Sequence, residues 1–309
     1  PATSSVRARR ALATSSALAR SASSAWIGDR YAPRELFTAA LARSSQRHAA
    51  LSLAHAHCSA HMKAQAELVL GRLCHVAGAR RPRPSLFVYP GLTAKPWHNA
   101  SSAPFASWLP ALEAATPAIR DEYLAVRAEN LPSDYDVDEG DHASGLHRGG
   151  DWHWASFIAR GERREPMWER CPQTAAALAG VPGLMEGMPF AFAFFSTLQP
   201  GARIAAHTSP CNLRVRVHLP LVVPPADGDG AARCAMRVAD ETRPWEAGRA
   251  LIFDDAFEHE VFNDTAAERA VLLFDVWHPE LEAAEIGALQ NMFEEVERRR
   301  AAREAEGAA

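Results

Sequence analysis

Between residues 213 and 219 the chain alternates strictly. Leu213, Val215, Val217 and Leu219 fall on one side of an extended segment, and Arg214, Arg216 and His218 on the other. A strand with that pattern must turn its charged side to water or to a polar cavity. Residues 190–198 form an apolar run closed by Gln199-Pro200-Gly201, a turn signal. Residues 250–253 and 270–277 read as further strands. The second is apolar on both faces, which predicts a central place in its sheet. Short strands with frequent turns predict a mainly β domain, a sandwich or a barrel.

Elsewhere the rhythm is helical. Residues 36–76 are rich in Ala, Leu and Arg and nearly free of Pro and Gly before Gly71. Residues 97–127 read as a loop followed by a helix, and residues 131–150 as a polar loop or insertion. Residues 280–303 are charged, with a partial stripe of Leu281, Ile286, Leu289, Met292 and Val296. The Pro/Arg stretch 80–84 is a natural boundary. The organisation expected is a disordered or transit-like leader (1–35), a helical segment (36–79), a mainly β domain with flanking helices (84–285) and a C-terminal helix or tail (286–309).

Composition narrows the class. The chain has 309 residues, 48% of them hydrophobic and 23% charged, with a formal net charge of −4. Those values exclude a disordered polymer and a disulfide-stapled mini-protein, and argue against a nucleic-acid partner. Five cysteines without a C-x-x-C pair argue against a disulfide framework or a cysteine zinc site. No apolar stretch is long enough for a transmembrane helix. Arg7, Arg9, Arg10 and Arg20 precede the first acid, Asp29, so the beginning of the chain resembles an organellar transit peptide. An alanine-rich helical leader is the other reading. His48, His55, His57, His61 and His75 crowd the helical segment. Only His57 and His61 stand at i, i+4, with no acid between them, so solvated helix histidines are the expectation there.

The candidate chemistry lies between residues 189 and 279. His207 follows the turn after the first predicted strand, and His259 closes Phe253-Asp-Asp-Ala-Phe-Glu-His259. Their separation puts them on different strands. A jelly-roll barrel can bring two such histidines together at its mouth, with Arg269 one strand deeper. Two imidazoles suit non-haem Fe(II), which needs open positions for a co-substrate and O₂. A buried arginine suits the carboxylate of an organic acid. Spacing alone leaves open that these are ordinary loop histidines and surface charges.

The residues then become recognisable. Pro200-Gly, His207-Thr-x-Pro-x-Asn-x-Arg-x-Arg-x-His218-Leu, Trp245-x-x-Gly248, Phe253-Asp-Asp-x-Phe-x-His259, Arg269 and Asp275-x-Trp-His-Pro279 resemble the aspartyl/asparaginyl β-hydroxylase family. So does the upstream Tyr89-Pro-Gly-Leu-x-Ala-Lys-Pro-Trp97. The resemblance implies a double-stranded β-helix (a cupin-like jelly roll), Fe(II), and 2-oxoglutarate and O₂ as co-substrates. It implies His207 and His259 as iron ligands. Ser196, Arg216, His218 and Arg269 would hold 2-oxoglutarate, and Trp154 would line the same pocket. The implied reaction is hydroxylation of a C–H bond, first of all the β-carbon of Asp or Asn in a protein or peptide. Bacterial relatives act instead on lipid acyl chains. By family analogy the endoplasmic reticulum joins an organelle as a candidate compartment.

Several alternatives stay open at this point. One is a catalytically inactive jelly-roll binding module. Another is a cupin-like enzyme that uses a metal without 2-oxoglutarate. Many oxygenases of this chemistry read His-x-Asp/Glu, but here Ser209 stands two after His207 and cannot supply a carboxylate. Asp254 and Asp255 are expected to accept backbone N–H groups in the turn before Phe257 rather than to bind metal. Arg214 is expected either to line the site or to form a salt bridge at the barrel rim. Trp245, Gly248, Trp277 and Pro279 are expected to serve packing and turns.

Overall fold

A computed structural model describes residues 84, 89, 92–135, 147–148, 151–225 and 232–307. The proposed leader, the helical segment 36–79 and its five histidines lie outside the described residues. Ala94–Pro279 belong to one compact unit; Tyr89, Leu92, Thr93 and the stretch from Glu280 onward belong to a second.

In the first unit a 3₁₀ turn (Phe105–Ser107) and helices α1 (Leu109–Ala114) and α2 (Thr116–Ala128) precede the strands. Strands β1 (His147–Arg148), β2 (Trp152–Ala159) and β3 (Glu162–Arg163) follow, then α3 (Glu165–Arg170) and α4 (Pro172–Ala179). Eight strands complete the unit. They are β4 (Ala193–Leu198), β5 (Arg203–His207), β6 (Arg214–Val222), β7 (Cys234–Val238), β8 (Glu241–Pro244), β9 (Leu251–Phe253), β10 (His259–Asn263) and β11 (Arg269–Trp277).

The strands form two sheets, each antiparallel throughout. The larger has the order β3-β2-β4-β11-β6-β9 and the smaller β1-β5-β10-β7-β8. Apart from the β7–β8 pair, successive strands from β4 to β11 therefore switch between sheets, with β4, β11, β6 and β9 in one and β5, β10, β7 and β8 in the other. That alternation is the jelly roll.

Two cores explain the strand patterns. On the outer side of the larger sheet, Trp108, Leu109, Leu112, Ile119 and Val126 from the helical part pack on Val215, Val217, Leu219, Leu272 and Phe274. Between the sheets, Phe194, Leu198, Ile204, Met236, Val261, Val271 and Leu273 form the other core. Strand β11 is apolar on both faces because it feeds both cores, and it lies between β4 and β6 as expected. The alternation of β6 has the same cause. Its valines face the helices, so Arg214, Arg216 and His218 are turned inward between the sheets. The turn after β4 passes through Gly201 at φ +73°, which glycine adopts without a side-chain clash.

In the second unit, α5 (Ala283–Gly307) buries Leu289 and Phe293. The stripe read from the sequence is displaced at its start. Glu285 is buried, because its carboxylate accepts the Tyr89 hydroxyl at 2.8 Å and the Glu282 amide at 2.9 Å. An acid at that position also suits the positive end of the helix dipole.

Candidate active site

Strand β5 ends on His207 and β10 begins on His259, and the antiparallel register sets the two opposite each other. Their ring centroids are 4.1 Å apart at an interplanar angle of 53°. His207 Nδ1 lies 2.8 Å from the Ala205 carbonyl, and His259 Nδ1 lies 2.9 Å from the Phe257 carbonyl. A carbonyl oxygen only accepts, so each Nδ1 carries the proton and each Nε2 keeps its lone pair. This backbone anchoring is the usual way a metal-binding histidine is oriented. Burial, foremost among the causes, lowers the pKa of both imidazoles below the ordinary histidine value, so both are neutral at pH 7.

Next to this pair the structure separates the arginines. Arg214 donates to Asp255 at 2.7 and 3.0 Å and to Asp275 at 3.1 Å, and also to the Phe190 carbonyl. Arg216 donates to the two oxygens of Asp275 at 2.8 and 3.0 Å and lies 3.4 Å from Asp255. Two guanidinium and two carboxylate groups thus neutralise one another between the sheets. Arg214 and its partners are fully buried rather than at a barrel rim. The Arg214 and Arg216 guanidiniums outweigh burial and hold the Asp255 carboxyl far below the usual carboxylate range.

Asp254 and Asp255 therefore have different roles, although the sequence suggested one. Asp254 accepts the Ala256 amide at 2.9 Å, as a turn aspartate does, and burial pushes its carboxyl up to about 8. The Asp255 side chain serves the arginines instead, while its carbonyl accepts the Ser209 amide at 2.8 Å. The Ser209 hydroxyl donates to the Cys211 carbonyl at 2.6 Å, satisfying the turn before β6.

Arg269 is buried as deeply but lacks an ion partner among the described residues. Its Nη1 donates to the Ser196 carbonyl at 3.1 Å and lies 3.3 Å from the Ser196 hydroxyl. Its Nε has no hydrogen-bond partner among the described residues. Burial lowers its pKa to about 10. His218 lies beside it, buried, with neither ring nitrogen partnered among the described residues. Desolvation, then the charges of Arg269 and Arg216, hold His218 well below its ordinary pKa. Phe253 stands between this group and the histidine pair, 5.0 Å from His218 and 5.7 Å from His259 by ring centroids.

Two tryptophans of β2 lie near Ser196. Trp152 donates its indole N–H to the Ser196 hydroxyl at 2.9 Å. Trp154 is the register partner of Ser196 on β2 and stacks on Phe194 at 4.0 Å. Arg216, expected to share a ligand with His218, has its fork turned to Asp275. Sequence reasoning also missed Trp245, read as packing. Its ring lies 4.5 Å under the Arg269 guanidinium and faces His218 at 6.3 Å. The Trp-x-x-Gly spacing signalled a turn, but nothing local signalled what the indole would meet.

The donors fit a divalent metal at the histidine pair and an anion at Arg269, because both sets present atoms without a partner among the described residues. A family model for aspartyl/asparaginyl β-hydroxylase matches residues 113–279, more than half of the chain. The chain belongs to this family. Human aspartyl/asparaginyl β-hydroxylase is 36% identical over 200 residues, which cover 64% of this chain and 24% of that protein. An ornithine lipid ester-linked acyl 2-hydroxylase from Rhizobium tropici is 33% identical over 195 residues, 62% of this chain and 63% of that one. Human aspartate β-hydroxylase domain-containing protein 2 is 34% identical over 147 residues, covering 47% and 38%. The matched part of this chain thus spans about a quarter of the human β-hydroxylase. Among the described residues, no helix is long and apolar enough to cross a membrane.

Proposed function

We propose that this protein is an Fe(II)/2-oxoglutarate-dependent dioxygenase that hydroxylates the β-carbon of Asp or Asn in a protein or peptide. One observation carries the proposal above the others: two histidines with Nε2 lone pairs lie one aromatic ring, Phe253, away from His218, and His218 neighbours a buried arginine that has no carboxylate partner among the described residues. An inactive binding module would have no use for a desolvated cation at that depth. A cupin-like enzyme without an organic-acid co-substrate would not need Arg269 and the inward face of β6 together.

His207 and His259 would hold the metal, neutral at physiological pH and with rings fixed by Ala205 and Phe257. When bound, Fe(II) supplies O₂ activation, so that 2-oxoglutarate and O₂ become succinate and CO₂ while one oxygen atom enters the substrate C–H bond. Arg269, with Ser196 beside it, would bind the distal carboxylate through its unpartnered edge. His218, neutral, would offer one N–H to the same ligand. Arg216, whose charge bears on both metal histidines, would face the end nearer the metal. Asp275 would keep its fork oriented. Trp152 fixes the Ser196 hydroxyl, and Trp154 would wall the pocket. Phe253 and the apolar inter-sheet core exclude water from the space between.

The lipid acyl hydroxylase among the relatives makes an acyl chain the second reading. Mass spectrometry separates the two. Asp- or Asn-containing peptides and acylated lipids are incubated separately with Fe(II), 2-oxoglutarate and O₂. A gain of one oxygen atom on a peptide β-carbon, lost in His207→Ala and His259→Ala, is expected. Oxidation of the lipid alone would overturn the peptide reading, and succinate formation absent with every substrate would overturn the oxygenase reading.

A further inference from the structure

Trp245 follows β8 in the smaller sheet, whereas Arg269, Ser196 and His218 stand on β11, β4 and β6 of the larger one. Its indole, in the connection from β8 to β9, meets the Arg269 guanidinium from outside the strands that carry the other pocket residues. The turn that carries it is fixed, since Glu246 bridges Arg249 and the Gly248 amide donates to the Pro220 carbonyl at 2.9 Å. Trp245 is itself buried, and its Nε1 has no hydrogen-bond partner among the described residues.

We propose that Trp245 is a positioning and specificity residue of this pocket: its indole face seats the Arg269 guanidinium so that the pocket accepts a 2-oxo dicarboxylate of one length. The proposal rests on the co-substrate reading above. Arg269 is constrained twice. Ser196 holds Nη1 at 3.1 Å, and the Trp245 ring supports the guanidinium face with Cζ 4.5 Å from its centroid. A guanidinium stacked on an indole keeps its plane and leaves its edge for bidentate carboxylate binding. The nearly parallel Trp245 and His218 rings, 23° apart, set the imidazole beside that edge. Among the described residues Trp245 Nε1, Arg269 Nε and both His218 nitrogens have no partner, and the neutral His218 can donate from one of its two nitrogens. A carboxylate has lone pairs for several such donors at once. Because the indole is held by a fixed turn, the floor of the pocket cannot yield to a longer diacid. Rejection of one extra methylene at such a wall is worth roughly 10–200-fold.

The test uses the Zn(II)-loaded protein, so that binding is read without turnover. Calorimetric titrations with 2-oxoglutarate and 2-oxoadipate are compared for wild type and Trp245→Phe, with thermal melts to check folding. Wild type is expected to prefer 2-oxoglutarate. Trp245→Phe is expected to bind it about tenfold more weakly, with a reduced preference over 2-oxoadipate, as one lost stacking contact and a widened floor imply. Trp245→Tyr replaces it if the phenylalanine variant does not fold. On the wild-type protein, the indole N–H resonance assigned to Trp245 should shift when 2-oxoglutarate is added. If wild type binds 2-oxoglutarate but the variant matches its affinity and selectivity, or the indole resonance does not move, the role of Trp245 is overturned and the co-substrate reading stands. If wild type binds neither diacid, both fall.

Discussion

Arg214 and Arg269 are equally hidden from water, and they do opposite things. Arg214 sits among two aspartates and, with Arg216, completes a closed square of alternating charge. Arg269 has a serine, an indole face and no carboxylate among the described residues. Burial raises the energy of both guanidiniums. The aspartates more than offset this at Arg214, where the pKa is raised, whereas at Arg269 it is lowered. The difference teaches how to tell structural from receptive charge. A fully buried cation such as Arg214, shared between two protein carboxylates, is part of the scaffold. One that is desolvated and left with open donors is poised for an anion from outside.

The largest effect that would sharpen this contrast is expected on the paired side. Asp275→Ala would strip the fork of Arg216 and leave Arg214 with one partner. Breaking a buried pair from one side costs roughly 3–5 kcal/mol, to be read by chemical denaturation. A loss below about 1 kcal/mol, the range of an exposed pair, would mean the square is not a structural unit. On the open side Arg269→Met should leave stability unchanged or raised, because a desolvated charge is removed. It should weaken 2-oxoglutarate binding at least a hundredfold, equivalent to about 2.7 kcal/mol. Unchanged turnover at low 2-oxoglutarate would remove Arg269 from the site.

The same contrast recurs within one residue step, between Asp255 in the square and Asp254 beside it. Asp254 has its pKa raised to about 8, so the folded chain binds its proton more tightly than the unfolded chain does. The stability it contributes is fully present below pH 4 and is lost as pH rises toward about 8. Asp254→Asn, which keeps an acceptor for the Ala256 amide, should flatten that fall by about 2.7 kcal/mol between pH 5 and 7. Parallel stability profiles for wild type and variant would show that Asp254 ionises freely.

Much of this was legible along the chain. The alternation of β6 and the doubly apolar β11 placed both strands, because each face of a buried strand must meet its own core. His207, His259 and Arg269 stood out by residue type, and the motif series gave the family. Contacts made only when the sheets close were not legible. The indole of Trp245 under Arg269 joins a connecting turn to a strand distant in sequence, and the local pattern showed only a turn. Asp255 looked like its neighbour because two adjacent aspartates in a turn are equivalent until the chain folds. Glu285 broke the helical stripe because its partner, Tyr89, lies far away in sequence.

The central claim is that the histidine pair and the unpaired arginine serve one metal-bound co-substrate. Anaerobic titration of the protein with Fe(II) and 2-oxoglutarate tests it most directly. A metal-to-ligand charge-transfer absorption in the visible should rise to one equivalent of iron, vanish in His207→Ala and His259→Ala, and require far more 2-oxoglutarate in Arg269→Met. No such band in the wild-type protein, or a band indifferent to both histidines, would contradict the account.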